Sequence, residues 1–96
     1  MNPPAIRNNA IKRRYELMQG DQVLAFADYR LVGDAIKITH TEVGAGYEYK
    51  GFGSMLAKQM LDDVREQNSR VIPACEFIAA YIQKHAEYGN LVAAKR

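Results

Sequence analysis

The spacing of the hydrophobic residues changes at a pair of glycines in the middle of this chain, and the change fixes the order of its elements. Before Gly51, apolar and polar residues alternate, which is typical of strands with one buried face. From Phe52 to Val64, apolar residues recur three and four positions apart, as they do on the buried face of a helix. The chain is therefore predicted to begin with strands, and a helix of about four turns follows the glycines.

The alternating part divides into three predicted strands, at residues 13–18, 23–32 and 35–43. Gly20-Asp21 and Gly33-Asp34 separate them, and such pairs are typical of tight turns. Short turns join antiparallel neighbours, so we expect an antiparallel three-strand meander.

Two further elements follow the helix. Residues 70–75 form a short apolar run that indicates a buried strand, with an irregular end at Pro73. Residues 77–85 have the spacing of a second helix, and Tyr88 is expected to pack back in the tail. A strand–helix–strand unit is nearly always a parallel crossover, so the sequence predicts one α+β domain. The predicted buried face of the second helix carries Phe77, Ile78, Tyr81 and Ile82.

With 96 residues, 48% of them hydrophobic, the chain is long enough for one core. We assign residues 13–92 to this domain, residues 1–12 to a basic N-terminal arm and residues 93–96 to a C-terminal tail. Four of the 13 basic residues and none of the 11 acidic ones lie in the first 14 positions. A basic arm of this kind can contact nucleic acid, and we consider nucleic acid a weaker alternative than other partners.

Several classes of protein are excluded by what the sequence lacks. No run approaches the length of a membrane span and the N-terminus has no signal-peptide pattern, so a cytoplasmic protein without membrane contact is expected. A single cysteine, Cys75, excludes an intramolecular disulfide. The ligand spacing of a zinc site is absent, and we expect no metal.

The turn Gly51-Phe52-Gly53-Ser54 leads directly into the first helix. The first N–H groups of a helix have no partner within it and lie at the positive end of its dipole, so this turn can bind a phosphate. It lacks both the Gly-Lys-Ser/Thr ending of a nucleotide triphosphate loop and the third glycine of a dinucleotide fingerprint. The alternative is a turn that needs glycine only for a positive φ.

Three blocks of the sequence together resemble a known family. They read HTEV at 40–43, GFGSML at 51–56 and VIPACEFIAAYIQKHAEY at 71–88. In this order they resemble the GNAT superfamily of acetyl-CoA-dependent N-acetyltransferases, and specifically its minimal, single-domain branch. The resemblance implies the GNAT-like acyl-CoA N-acyltransferase fold, with acetyl-CoA as the acetyl donor.

The resemblance also implies a binding site for CoA, with its pyrophosphate at the start of the first helix. The family motif begins with Arg or Gln where this chain has Glu48. A carboxylate repels the pyrophosphate, so we expect Glu48 to turn outward and the affinity for CoA to be weak. The backbone N–H of Val43 is implied to face the thioester carbonyl, where it would stabilise the oxyanion. The implied CoA-binding residues are Thr41, Val43, Lys50, Gly51, Phe52, Gly53 and Ser54.

Three side chains are candidates for catalysis. Tyr81 lies where the superfamily often has a tyrosine as general acid, although a tyrosine on a helix face is otherwise commonly a core residue. Cys75 occupies the position at which the minimal branch reads Pro-Leu-Cys-Pro-Phe, and it either lines the thioester pocket or is a buried inert thiol. Glu42 is a candidate base or anchor for the acceptor amine, and His40 on the same strand face is expected to be structural.

The sequence therefore predicts an N-acetyltransferase in which an unidentified amine, on a small molecule or a protein, directly attacks acetyl-CoA. Larger relatives insert helices between their first two strands, whereas this chain has only a short turn at Gly20. The acceptor side should be open, which fits a protein amine or a homodimer that completes the pocket. The alternative function is a module that binds CoA or acyl-CoA with little or no transferase activity.

Overall fold

The computed structural model describes residues 3–93. It contains one five-stranded sheet whose spatial order follows the chain, with four antiparallel strands and a last strand parallel to the fourth. The α+β order that the sequence predicts is confirmed. The elements are β1 (Ala5–Asn9), β2 (Arg14–Gln19), β3 (Gln22–Val32), β4 (Ala35–Val43), α1 (Phe52–Glu66), β5 (Arg70–Pro73), α2 (Glu76–Lys84) and a 3-10 helix (Ala86–Leu91).

Strand β1 is absent from the sequence prediction. We predict a basic arm over residues 1–12, and this does not hold for Ala5–Asn9, which pair with β2 at the edge of the sheet. Ile6 is the only large apolar residue of this strand, so no alternation of hydrophobicity marks it. The connection between the first two strands is consequently residues 10–13 and not the turn at Gly20. The first two residues of the predicted arm and residues 94–96 of the predicted tail lie outside the described residues.

One side chain of α1 pairs with the free edge of β1. Gln59 Oε1 accepts the N–H of Ile6 at 3.0 Å, and Gln59 Nε2 donates to the carbonyl of Pro4 at 3.1 Å. These bonds occupy main-chain groups that an edge strand would otherwise offer to another chain.

The core lies between the sheet and the helices. The predicted face of α1 is buried, and Tyr88 and Leu91 pack back onto the core as predicted for the tail. On α2, Ile78, Tyr81 and Ile82 are buried but Phe77 is 41% exposed, so its assignment to the buried face is wrong. Within residues 3–93, no helix has the length and apolar character needed to cross a membrane. The buried residues of α1 are Gly53, Leu56, Ala57, Met60, Leu61 and Val64.

The other face of β1–β4 carries charged side chains that pair across strands. Arg7 binds Glu16 at 2.6 Å, and Arg14 binds Asp28 at 3.1 Å while its guanidinium lies 3.9 Å from the ring centroid of Phe26. Two of the four cations near the N-terminus are therefore neutralised within the sheet. Among the described residues, Lys12 and Arg13 are the cations of this group that form no ion pair.

Glu16 is the buried carboxylate of this face, and we expect it to make the stability of the fold depend on pH in the acidic range. Burial acts to raise the pKa of Glu16, but hydrogen bonds from Arg7 and Asn9 outweigh burial and lower it. A pKa that is lower in the folded state than in the unfolded state stabilises the folded protein at pH values above the ordinary pKa of 4.5. This stabilisation is lost as the pH falls from 4.5 through the lower pKa of the folded state. Glu16→Gln should lower the free energy of unfolding at pH 7 by about 1–3 kcal/mol, as measured by urea denaturation.

The control for this prediction is Glu66→Gln, which removes an exposed carboxylate of α1. The difference between wild type and Glu16→Gln should shrink as the pH is lowered below 4.5, because protonation of Glu16 removes the charge that binds Arg7. A difference that stays the same as the pH falls would show that the charge of Glu16 is not what stabilises the sheet.

Candidate active site

Strands β4 and β5 separate part of the way along the sheet. They pair only where Ala35–Ile38 face Arg70–Pro73. Next to this segment the register of β4 against β3 shifts, because Thr39 is an extra residue between Ile38 and His40. Such a bulge bends a strand and increases its twist. Residues 40–43 then pair with β3 alone, so a gap opens between β4 and the end of β5.

The backbone N–H of Val43 points into this gap. The N–H of the next residue, Gly44, donates to the carbonyl of Leu24 in β3 at 2.8 Å. Successive N–H groups of a strand point to opposite sides, so that of Val43 is directed away from β3. The resemblance implies this donor, and the hydrogen-bond pattern directs it away from β3.

Cys75 borders the gap on the side of β5. It is the N-cap residue of α2, it is half-buried against the core, and its thiol donates to Thr41 Oγ1 at 3.3 Å. The N–H of Ala74 donates to the carbonyl of Ile38 at 3.0 Å, and this is where the two strands part. The structure therefore brings together Thr41 and Cys75, which are far apart in the sequence.

Glu42 lies on the opposite face of the sheet from Thr41, because neighbouring side chains of a strand alternate. Its carboxylate is 3.0 Å from His40 Nε2, and both side chains are more than half exposed. We call the face that carries Glu42 the open face and the face that carries Thr41 the helix face. A reactant on one face could meet a reactant on the other only through the gap.

The start of α1 has free N–H groups. Gly51 precedes the helix with φ of 78°, a conformation that favours glycine. The first helical hydrogen bond runs from the N–H of Met55 to the carbonyl of Gly51 at 3.0 Å. The N–H groups of Phe52, Gly53 and Ser54 precede Met55 and have no acceptor within the helix. No side chain caps this end, and its first turn contains no acidic residue. The geometry is that of an anion site.

Gly53 packs closely against a neighbour that the sequence prediction did not include. A Cβ at this position would lie 3.0 Å from Cζ of Phe77, which covers the start of α1 from α2. We predict from the sequence that Gly53 gives a phosphate access to the backbone, but its packing against Phe77 also leaves little room for a Cβ. The signal for this contact was the Phe that ends the Pro-Ala-Cys-Glu-Phe block.

Glu48 has a hydrogen-bond partner within its own loop. It is exposed, and its carboxylate accepts the N–H of Gly46 at 2.9 Å within the loop. Lys50 is exposed beside Gly51, where its charge can compensate that of Glu48. Tyr47 packs edge-on against Phe52 with ring centroids 6.2 Å apart, a contact that fixes the loop on the helix.

Tyr81 lines a cavity of about 160 Å³ between the start of α1 and α2, together with Ser54 and Phe77. Its ring stacks on His85 with centroids 4.0 Å apart. Its hydroxyl makes no hydrogen bond to any other residue between 3 and 93. Burial raises the pKa of Tyr81 against the opposing charge of Lys58, so the hydroxyl is protonated at neutral pH.

The structure thus brings some of the predicted residues together and separates others. Ser54 and Tyr81 share a cavity, Thr41 and Cys75 share a hydrogen bond, and Glu42 is on the other face of the sheet. The bulge at Thr39, which opens the gap, has no signal in the sequence.

Residues 14–91 match a family model described as GCN5-related N-acetyl-transferase. Comparison with curated proteins gives no significant match.

Two solved structures have a similar fold. One is the solution structure of a GCN5-like candidate N-acetyltransferase from Staphylococcus aureus, with a TM-score of 0.71 and 24% sequence identity over 100% of this chain and 94% of that one. The other is the ribosomal-protein-S18-alanine N-acetyltransferase from Escherichia coli, with a TM-score of 0.58 and 19% identity over 76% of this chain and 50% of that one. At these identities the similarity shows the fold alone.

Proposed function

The chain belongs to the GCN5-related N-acetyltransferase family, and on this premise we propose that it transfers an acetyl group from acetyl-CoA to an amine by direct attack. The observation that carries the proposal is the gap between β4 and β5, into which the N–H of Val43 points. The nearby start of α1, with its free N–H groups, supports a site for the pyrophosphate of the donor.

In the proposed reaction the neutral amine attacks the thioester carbonyl of acetyl-CoA. The nitrogen–carbon bond forms and the tetrahedral oxyanion accepts the N–H of Val43 as its charge develops. The carbon–sulfur bond then breaks, and Tyr81 donates its proton to the departing thiolate. Its raised pKa keeps this proton available at neutral pH. The proton lost by the amine passes to Glu42 or to water.

The acceptor approaches from the open face in this proposal, and the donor from the side of the helices. Glu42 and His40 are on the open face beside the gap, and Thr41 with Cys75 line it from the other side. The connection at residues 10–13 is too short to hold a covering helix, so the acceptor side is open. An open face suits a protein amine or a homodimer. A cytoplasmic location is part of this proposal.

Acetyl transfer is tested by incubating the protein with acetyl-CoA and a panel of small amines and lysine peptides. Release of CoA thiol that depends on the amine, with a gain in mass of the amine, is the expected result. A folded protein that binds acetyl-CoA but acetylates no amine would instead support the second candidate, a binding module. The observation that favours the second candidate is Glu48, which stands where the family motif has Arg or Gln.

Glu42→Gln tests the place of the acceptor. If Glu42 binds the amine or takes its proton, the variant should lower kcat/KM for the acceptor about tenfold, the effect of one charge-assisted hydrogen bond at a half-exposed site. Its affinity for CoA should not change. The matched control is Glu66→Gln on α1, and equal kinetics for both variants would remove Glu42 from the site.

A further inference from the structure

A second polar cavity lies at the far end of α1. It has a volume of about 250 Å³ and is formed where α1 ends, β5 begins and the 3-10 helix closes. Arg65 is twelve residues after Gly53, so the two are roughly 18 Å apart along the helix axis. The cavity is therefore separate from the candidate active site. Its lining residues are Arg65, Asn68, Ser69, Arg70, Asn90 and Leu91.

The arginines of this cavity are not neutralised by an ion pair within residues 3–93, although the charge of Arg65 helps to lower the pKa of Asp62. Among the described residues, neither Arg65 nor Arg70 forms an ion pair, and no lining residue is acidic. Two carboxylates near the end of α1 hold other partners. Asp62 binds Lys58 and Tyr88, and Asp63 accepts hydrogen bonds from Tyr15 and Gln67.

Both guanidinium groups are held in place by neutral oxygens. Arg65 Nη2 donates to the carbonyl of Glu87 and to Asn90 Oδ1, and Arg70 Nη1 donates to the carbonyl of Asn90. The ring of Tyr88 lies 5.2 Å from Arg65 Cζ. These contacts engage one terminal nitrogen of each guanidinium, and each arginine has further N–H donors. Because Asn90 Oδ1 faces Arg65, the amide NH2 of Asn90 is directed elsewhere.

We propose that this cavity binds a phosphate group. Two ordered guanidiniums with amide and hydroxyl donors and no carboxylate match the charge and the acceptors of a phosphate. The volume is below that of pockets for drug-sized ligands, so it suits one phosphate or a small phosphate ester. Leu91 is the apolar lining residue, against which the carbon of an ester can pack. This proposal does not depend on acetyl transfer.

The test is a titration of ¹⁵N-labelled protein with inorganic phosphate at low ionic strength, followed by NMR. The amides of Ser69 and Arg70 and the Nε–H groups of both arginines should shift and saturate. Residue-level shifts separate this cavity from the start of α1, which is also expected to bind anions. Glycerol 3-phosphate is titrated in a second arm. Tighter binding of glycerol 3-phosphate identifies an ester, and equal or weaker binding identifies free phosphate.

Arg70→Gln should weaken phosphate binding at this cavity at least tenfold, whereas Arg30→Gln, an exposed arginine of β3, should leave it unchanged. Arg70→Lys keeps the charge without the planar fork and should bind less tightly than wild type, with the tail still folded. Shifts that do not saturate, or an equal loss in Arg30→Gln, would overturn the proposal. So would unaltered binding in Arg70→Gln.

Discussion

Tyr81→Phe should lower the rate of acetyl transfer by about 10²–10⁴-fold, the contribution typical of a positioned general acid. The substitution removes only the hydroxyl, which makes no hydrogen bond between residues 3 and 93, so stability should change by less than about 0.5 kcal/mol. The rate is measured as release of CoA thiol with an amine that the acceptor panel identifies. The Kd for acetyl-CoA, measured by calorimetry, should be unchanged.

Tyr88→Phe is the matched control for this prediction. Tyr88 is also buried and lies beside Tyr81, with ring centroids 6.1 Å apart, but its hydroxyl donates to Asp62 at 2.7 Å. The control should lose about 1 kcal/mol of stability and little activity. If Tyr81→Phe and Tyr88→Phe transferred the acetyl group at the same rate, Tyr81 would be a core residue and not the general acid.

Ser54→Glu should weaken the binding of CoA about 100-fold while stabilising the fold. A carboxylate in the first turn of α1 interacts favourably with the helix dipole, by about 0.3–1 kcal/mol. The same charge repels a pyrophosphate at the N–H groups of that turn. The effects on binding and on stability have opposite signs, so unfolding cannot account for a loss of affinity.

Calorimetry with CoA and thermal denaturation measure the two effects, and Ser54→Gln controls for side-chain size without charge. Ser54 is exposed, so both variants fit without repacking. This pair is a cleaner test than a substitution at Gly53, where any side chain also displaces Phe77. CoA that bound Ser54→Glu as tightly as Ser54→Gln would place its pyrophosphate elsewhere.

The sequence predicted the elements whose hydrophobic pattern is strong. Strands β2–β4, helix α1 and the buried part of α2 all have regular apolar spacing. Strand β1 was missed because most of its side chains are polar or small. Arg7 pairs with Glu16, and Asn8 accepts from Tyr29, so pairing and not hydrophobicity places this strand.

The site was predicted less completely than the fold, because its shape depends on contacts between distant residues. Gly51 could be read from the turn, and its φ of 78° agrees. The gap at β4 depends on the bulge at Thr39. In the sequence, Thr39 continues the alternation of polar and apolar residues, so nothing marks it as the bulged residue. Phe77 has the spacing of a core residue and is turned outward over Gly53.

The most direct test of the proposed donor site is a titration of ¹⁵N-labelled protein with acetyl-CoA, followed by backbone amide shifts. We expect the largest shifts at the amides of Phe52, Gly53 and Ser54 and at Val43, because these N–H groups face the pyrophosphate and the thioester. The amides of Ser69 and Asn90, at the other end of α1, should respond little. Large shifts there without any at Ser54 and Val43, or no shifts at all, would contradict the proposed site for acetyl-CoA.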